Sequence, residues 1–134
     1  MFWTMISFMH LDHWGKAMAY MLLVVEKTGD RAARSESDGV ALYERMLRFS
    51  ESLKRRGLLT MGQSLKTDAD GARVTKQGEK SLVRDGPFAE AKEMIGGFFL
   101  LTCTSREQAI GVARECPAAE WATVEVRELG PCFL

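Results

Sequence analysis

The chain contains 134 residues, a length typical of one domain that buries a substantial core. Hydrophobic residues account for 46% of the sequence and charged residues for 27%, as is usual for globular proteins. Because 18 basic residues balance 18 acidic ones, charge alone recruits neither a nucleic-acid backbone nor an anionic membrane, and we predict no direct partner of either kind.

Residues 1–17 lack the form of an export signal or a membrane span. No basic segment comes first, and His10, Asp12 and His13 interrupt the apolar run. The two histidines would need further ligands, such as a carboxylate, to hold a metal ion. We therefore interpret residues 1–17 as an N-terminal extension and residues 18–134 as a single domain.

The domain opens with a strand and a helix. Residues 20–26 form a continuous apolar run of strand length, which predicts a central strand buried on both faces. Apolar side chains then recur at helical spacing from Ser37 or Asp38, the candidate N-caps, to Gly57, the C-cap. Tyr43 lies on this apolar stripe, where packing in the core competes with contact to a ligand.

The middle of the chain predicts three further strands and a second apolar run. Residues 58–65 form a weaker strand because Gly62 interrupts it. Residues 72–75 and 80–84 flank a short loop that contains a glycine, which predicts a β-hairpin. Residues 95–103 are again continuously apolar, which predicts the other central strand.

The last part of the chain predicts a helix and an edge strand. Ser105 and Gln108 have the spacing of a capping box, and Pro117 ends the helix that follows. Residues 122–129 alternate between apolar and polar side chains, as in a strand with one buried face.

These elements predict an α+β fold, a ferredoxin-like βαββαβ arrangement with a β-hairpin insertion. Its four-stranded antiparallel sheet has the order 4-1-3-2, because the two apolar strands, the first and the third, occupy the centre. Both helices pack on one face, which leaves the other face apolar and bare. We predict that a second copy covers it, giving a homodimer with its sheets face to face, a dimeric α+β barrel.

The three cysteines, Cys103, Cys116 and Cys132, have neither the spacing of a zinc site nor the even number of a disulfide framework. Such cysteines are typical of reduced thiols in the cytoplasm. We predict a cytoplasmic protein with no metal and no cofactor.

The segment 84–101 contains the candidate acid/base residues. Asp85 precedes a Gly–Pro pair, and its carboxylate is either the acceptor of an Asx turn or a base beside an apolar pocket. Glu90 and Glu93 are either the second carboxylate of an acid/base pair or members of surface and dimer salt bridges.

The same segment contains candidate ligand-binding residues. Lys92 is suited to hold an anionic substrate, unless it belongs to a solvated charged face. Phe88 is a core or dimer contact, or a surface on which a ligand stacks. Gly97 marks either close backbone packing or space for a ligand. With Tyr43, these residues complete the candidate binding set.

Residues 85–93 read Asp-Gly-Pro-Phe-Ala-Glu-Ala-Lys-Glu, and Gly96, Gly97 and Phe98 follow them. This pattern resembles the signature of the DGPF subgroup of the YCII-related family. The resemblance implies a dimeric α+β barrel with a pocket near the junction of its two sheets. Better-known relatives are small dehalogenating or isomerising enzymes of aromatic breakdown that use a histidine and an aspartate. The first helix of this chain contains no histidine, so that activity is not carried over.

Two functions therefore stay open. The first is a small metal-independent enzyme that acts on a small apolar or aromatic acid by acid/base chemistry, with Asp85 and a glutamate as its reactive groups. The second is a non-catalytic dimeric module that senses a small molecule or contacts a regulatory protein. Proteins of the DGPF subgroup also occur beside or fused to sigma factors, and we expect any such partner of this chain to be a separate protein.

Overall fold

The computed structural model describes residues 18–134, so the interpretation of residues 1–17 as an extension lies outside the described residues. Within the described part, no helix is long and apolar enough to cross a membrane. Its elements, in chain order, are β1 (Met18–Lys27), α1 (Asp30–Ala33), α2 (Glu36–Arg55), β2 (Leu59–Ser64), a 3-10 turn (Asp68–Asp70), β3 (Ala72–Gln77), β4 (Lys80–Asp85), β5 (Glu93–Cys103), α3 (Arg106–Glu115), a second 3-10 turn (Pro117–Glu120) and β6 (Thr123–Glu128).

Four of the strands form one antiparallel sheet in the order β2-β5-β1-β6. The two central strands, β1 and β5, are the two continuous apolar runs. Strands β3 and β4 pair separately as the predicted hairpin. Because β2 and β6 are edges of the larger sheet, a single chain does not close into a barrel.

The core lies between the sheet and the two longer helices. Alternate side chains of β1 point into it, since Leu22 is fully buried and packs in one cluster with Leu53 of α2 and Val112 of α3. The intervening residues Met21 and Leu23 lie on the opposite face and are only half-buried. The apolar run predicts a strand that is buried on both faces. Within a single chain, β1 is fully buried on one face only.

The prediction for the start of α2 was wrong. Its N-cap is Ser35, whose hydroxyl accepts the backbone N–H of Asp38 at 3.1 Å. Ser37 and Asp38 both lie inside the helix, so Asp38 donates to the cap and is not the cap itself. The end of the helix differs from the prediction by one residue: Arg56 is the C-cap, and Gly57 follows it with φ at 70°, a conformation that favours glycine.

Two of the cysteines are buried, Cys103 and Cys116, whereas Cys132 is exposed. Burial raises the pKa of the Cys103 and Cys116 thiols, so both stay protonated at neutral pH. Thiols of this kind are inert packing groups, in contrast to the thiolates of reactive cysteines.

Candidate functional site

A pocket of about 490 Å³ lies between α2 and the part of the sheet formed by β2 and β5. Pockets that bind small organic molecules typically measure about 300–1,000 Å³, so this one has a suitable size. It opens on the helix-covered face of the sheet, whereas the family resemblance implies a pocket near the open face. Its apolar walls are formed by Val24, Leu42, Met46, Leu47, Phe99, Ala118 and Trp121.

A buried ion pair lines part of the pocket. Glu26 near the end of β1 is only 6% exposed, the one buried charged residue among residues 18–134. Arg31 of α1 holds both of its carboxylate oxygens, with Nε 2.7 Å from Oε1 and Nη2 3.1 Å from Oε2. Such a two-point contact fixes the carboxylate and compensates for its removal from water.

Arg31 also joins three strands at this point. Its Nη1 donates to the carbonyl oxygen of Leu65, just beyond β2, at 2.7 Å, and its Nη2 donates to the carbonyl oxygen of Gly96 in β5 at 3.1 Å. Together with the bond to Glu26 of β1, these contacts make one guanidinium the link between β1, β5 and the end of β2. Arg31 belongs to the short helix α1, which occupies part of the predicted polar loop.

Glycine at position 96 makes the ion pair possible. Val24 pairs with Gly97 and Val25 pairs with Ile95, so Gly96 is the extra residue of a bulge in β5. A Cβ atom at Gly96 would lie 1.9 Å from Oε2 of Glu26 and 2.8 Å from Nη2 of Arg31. Any side chain here would therefore expel the carboxylate from its site.

The rim of the pocket carries further polar groups. Arg34, the residue that follows α1, lines the pocket and is half-buried. Tyr43 also lines it, with 52% of its surface exposed. Trp121 also lines the pocket, and the guanidinium of Arg45 lies over its ring, 5.5 Å from the ring centroid. The pocket thus combines apolar walls with a small number of polar and charged groups.

Comparison with known proteins identifies the family. Residues 18–132 match the YCII-related domain. The chain belongs to the YCII-related family. It is also similar to uncharacterized protein R00369 of Rhizobium meliloti (strain 1021), with 34% identity over 92 residues, which cover 64% of this chain and 74% of the relative.

The pocket of this YCII-related protein contains two of the residues predicted from the sequence, Tyr43 and Gly97. A Cβ atom at Gly97 would lie 3.0 Å from the carbonyl oxygen of Gln63, so close strand packing accounts for the glycine as well. The remaining predicted residues do not line the pocket; they are Asp85, Phe88, Glu90, Lys92 and Glu93.

The turn after β4 is held by an aspartate that the sequence analysis did not single out. The backbone N–H of Phe88 donates to Oδ2 of Asp68 at 3.2 Å, and that of Gly86 donates to the carbonyl oxygen of Gly71 at 2.8 Å. Asp85 itself is exposed at the end of β4. The side-chain acceptor in this turn is therefore Asp68.

Phe88 and Glu90 belong to a surface cluster with two arginines. The buried ring of Phe88 lies 3.9 Å from the guanidinium of Arg73 and 5.3 Å from that of Arg84. Glu90 forms ion pairs with both arginines, 3.2 Å from Arg73. Its own backbone N–H and Arg84 lower the pKa of Glu90, so it stays ionised, as expected of a salt-bridge partner. These contacts favour the salt-bridge interpretation of Glu90.

Lys92 and Glu93 lie where the chain enters β5. The carbonyl oxygen of Lys92 accepts the backbone N–H of Thr28 at 3.0 Å, which joins this strand to the end of β1. Glu93 pairs in register with Lys27 on the neighbouring strand, and the side chains of Lys92 and Glu93 are exposed. Opposite charges at such a cross-strand position stabilise a sheet modestly.

Sequence reasoning missed the charged residues that do line the pocket: Glu26, Arg31 and Arg34. One signal was present, because Tyr20, Leu22 and Val24 alternate toward the core and Glu26 continues the same period of two. A carboxylate at a core-facing position requires a partner. Within residues 18–134, no group of three or more histidine, cysteine, aspartate or glutamate side chains is arranged to hold a metal ion.

Proposed function

We propose that this YCII-related protein is a binding module for a small molecule with an apolar or aromatic body. The observation that carries the proposal is the pocket between α2 and the sheet, with apolar walls and a few polar and charged groups. Pockets that combine an apolar lining with a few convergent polar groups are the usual sites of small-molecule recognition.

The position of the signature carboxylates, outside the pocket, favours binding over acid/base chemistry. Asp85, Glu90 and Glu93 do not line the pocket. An enzyme acting on a small apolar or aromatic acid is the second candidate, and one observation favours it. Glu26 does line the pocket, and Arg31 occupies only part of the acceptor capacity of its carboxylate.

Filling the pocket from Gly39 tests the binding function. Gly39 of α2 lines the pocket, and a Cβ atom there would meet no heavy atom within 4 Å. We expect Gly39→Phe to leave the fold intact, since most residues favour a helix more than glycine does. The probe is 2-naphthoate, a small aromatic acid. The variant should lower the affinity of the protein for this probe at least about tenfold, or about 1.4 kcal/mol. Titration calorimetry measures the affinity, and the amide NMR signals of Gly62, Gly96 and Gly97 report the site.

The matched control is Gly111→Phe in α3. Gly111 also has no heavy atom within 4 Å of a built Cβ, but it does not line the pocket. This variant should bind 2-naphthoate as the wild type does. Equal binding by the Gly39→Phe variant, with unchanged shifts of the pocket glycines, would place the ligand elsewhere and contradict the proposal.

We also propose that two copies associate through the open face of the sheet, as in the dimeric α+β barrels of the DGPF subgroup. In support, Met21 pairs with Leu100 and Leu23 pairs with Phe98, so four apolar side chains lie side by side on the two central strands. All four are half-buried in the single chain. Apolar patches of this kind commonly mark interfaces, and a two-fold contact buries the same patch on both copies.

The Leu23→Lys variant tests this association. An ammonium group in the middle of the apolar face would lose its hydration on pairing, at two positions in each dimer. We expect the dissociation constant to rise at least about 100-fold, or about 2.7 kcal/mol. Light scattering across a concentration series measures the change. Val40→Lys is the control, because Val40 is an exposed apolar residue of α2, 49% exposed, away from this face. A monomeric wild type would contradict the proposal.

A further inference from the structure

The charges that line the pocket do not cancel. Glu26 contributes one negative charge, and Arg31 and Arg34 each contribute a positive one. Glu26 and Arg31 neutralise each other through their two-point contact. Every nitrogen of the Arg31 guanidinium is also engaged, since Nη1 donates to Leu65 and Nη2 donates to Gly96. The remaining positive charge of the pocket is therefore that of Arg34.

Arg34 differs from the other arginines near the pocket in its contacts. Arg31 pairs with Glu26, and Arg45 pairs with Glu120. Among residues 18–134, Arg34 makes no ion pair and its side chain donates no hydrogen bond. A half-buried guanidinium beside apolar walls has five N–H donors to satisfy, and its planar fork matches a carboxylate.

Arg34 stands at one end of the part of α2 that lines the pocket. The lining follows α2 from Gly39 to Ser50, a length of about 16 Å at 1.5 Å per residue. Arg34 directly precedes Ser35, the N-cap of α2, so it lies at the Gly39 end. Leu42, Met46 and Leu47 follow along the helix.

We propose that the ligand is a carboxylate with an elongated apolar or aromatic body, and that Arg34 is the residue that selects the carboxylate. The inference rests on the proposed binding function of the pocket. The acid group binds the guanidinium of Arg34 at the start of α2, while the body packs along the apolar side chains of the helix and against Trp121. Because Glu26 is already paired, it does not compete with the ligand for Arg34.

A comparison of an acid with its neutral amide tests this selectivity. The probes are 2-naphthoate and 2-naphthamide, which share one ring system and differ in charge. We expect the wild type to bind the acid at least about tenfold more tightly, in line with about 1.4 kcal/mol for one charged contact. Arg34→Gln should remove this preference by weakening the acid alone, and Arg34→Lys should restore part of it. Arg48→Gln is the matched control, because Arg48 is an exposed residue of α2 that does not line the pocket.

The possible outcomes separate the two proposals. If Arg34→Gln binds 2-naphthoate as tightly as the wild type, and Gly39→Phe still weakens binding, the pocket is the site and the role of Arg34 is overturned. If the wild type binds acid and amide equally, the selectivity for a carboxylate is overturned. If neither probe shifts the amide signals of Gly96 and Gly97, the binding function of the pocket fails, and the role of Arg34 fails with it.

Discussion

Replacing Arg31 with methionine is expected to lower the free energy of unfolding by about 3–5 kcal/mol, because it leaves the buried carboxylate of Glu26 without a counter-charge. The loss includes the bonds to the carbonyl oxygens of Leu65 and Gly96, which join the end of β2 to β5. Urea denaturation followed by circular dichroism measures the change. Since the pair also shapes the pocket, the variant should lose binding of 2-naphthoate.

A second substitution separates the charge from the carbonyl contacts. Glu26→Leu combined with Arg31→Met removes both charges. It should recover most of the stability lost through the unpaired carboxylate, but not the stability contributed by the two hydrogen bonds to Leu65 and Gly96. The double variant is therefore expected to be more stable than Arg31→Met alone. Arg45→Met is the matched control, because it breaks an exposed ion pair, which contributes little to stability. If Arg45→Met and Arg31→Met lowered the free energy of unfolding equally, burial of the Glu26–Arg31 pair would not be the cause of the loss.

Short-range physics made much of the fold predictable. The capping box of α3 forms, since the backbone N–H of Gln108 donates to the hydroxyl of Ser105 at 3.0 Å. The Gln108 side chain reaches back, but to the backbone N–H of Thr104, at 2.7 Å. The two continuous apolar runs, β1 and β5, lie at the centre of the sheet because apolar side chains occupy their core-facing positions from Tyr20 to Val24 and from Phe99 to Cys103.

The start of α2 was less predictable, because several good capping residues stand close together. Ser35, Ser37 and Asp38 all have side chains that can cap a helix. The choice depends on where α1 ends, and α1 is positioned by the contacts of Arg31 with three strands. A tertiary contact thus decides a local boundary.

The candidate site depends even more on distant parts of the chain. Glu26 and Gly96 meet because β1 and β5 pair in one register with a bulge after Val24. Periodicity predicts that both strands are central, but it does not predict the bulge that leaves room for the carboxylate. The charged residues of the signature are unusual in sequence but lie outside the pocket, whereas the charged residues that line it, Glu26, Arg31 and Arg34, belong to no sequence motif.

Gly86→Ala is expected to lower the free energy of unfolding by about 3 kcal/mol, the upper part of the usual range for overpacking. A Cβ atom at position 86 would lie 1.7 Å from the carbonyl oxygen of Asp68 and 2.8 Å from its carbonyl carbon. Both contacts are with backbone atoms, so no side chain can rotate away to relieve them. The hydrogen bond from the N–H of Gly86 to the carbonyl oxygen of Gly71 opposes a shift of the turn away from these atoms.

Two controls decide whether the signature acts through structure or chemistry. Gly130→Ala should leave stability unchanged, because no heavy atom lies within 4 Å of a Cβ built there. Asp85→Asn should leave both stability and binding of 2-naphthoate unchanged, since the Asp85 side chain is exposed and the turn acceptor is Asp68. If Asp85→Asn unfolds as the wild type does but loses binding, the carboxylate has a direct functional role. If only Gly86→Ala is impaired, the signature maintains the backbone path that joins the hairpin to β5.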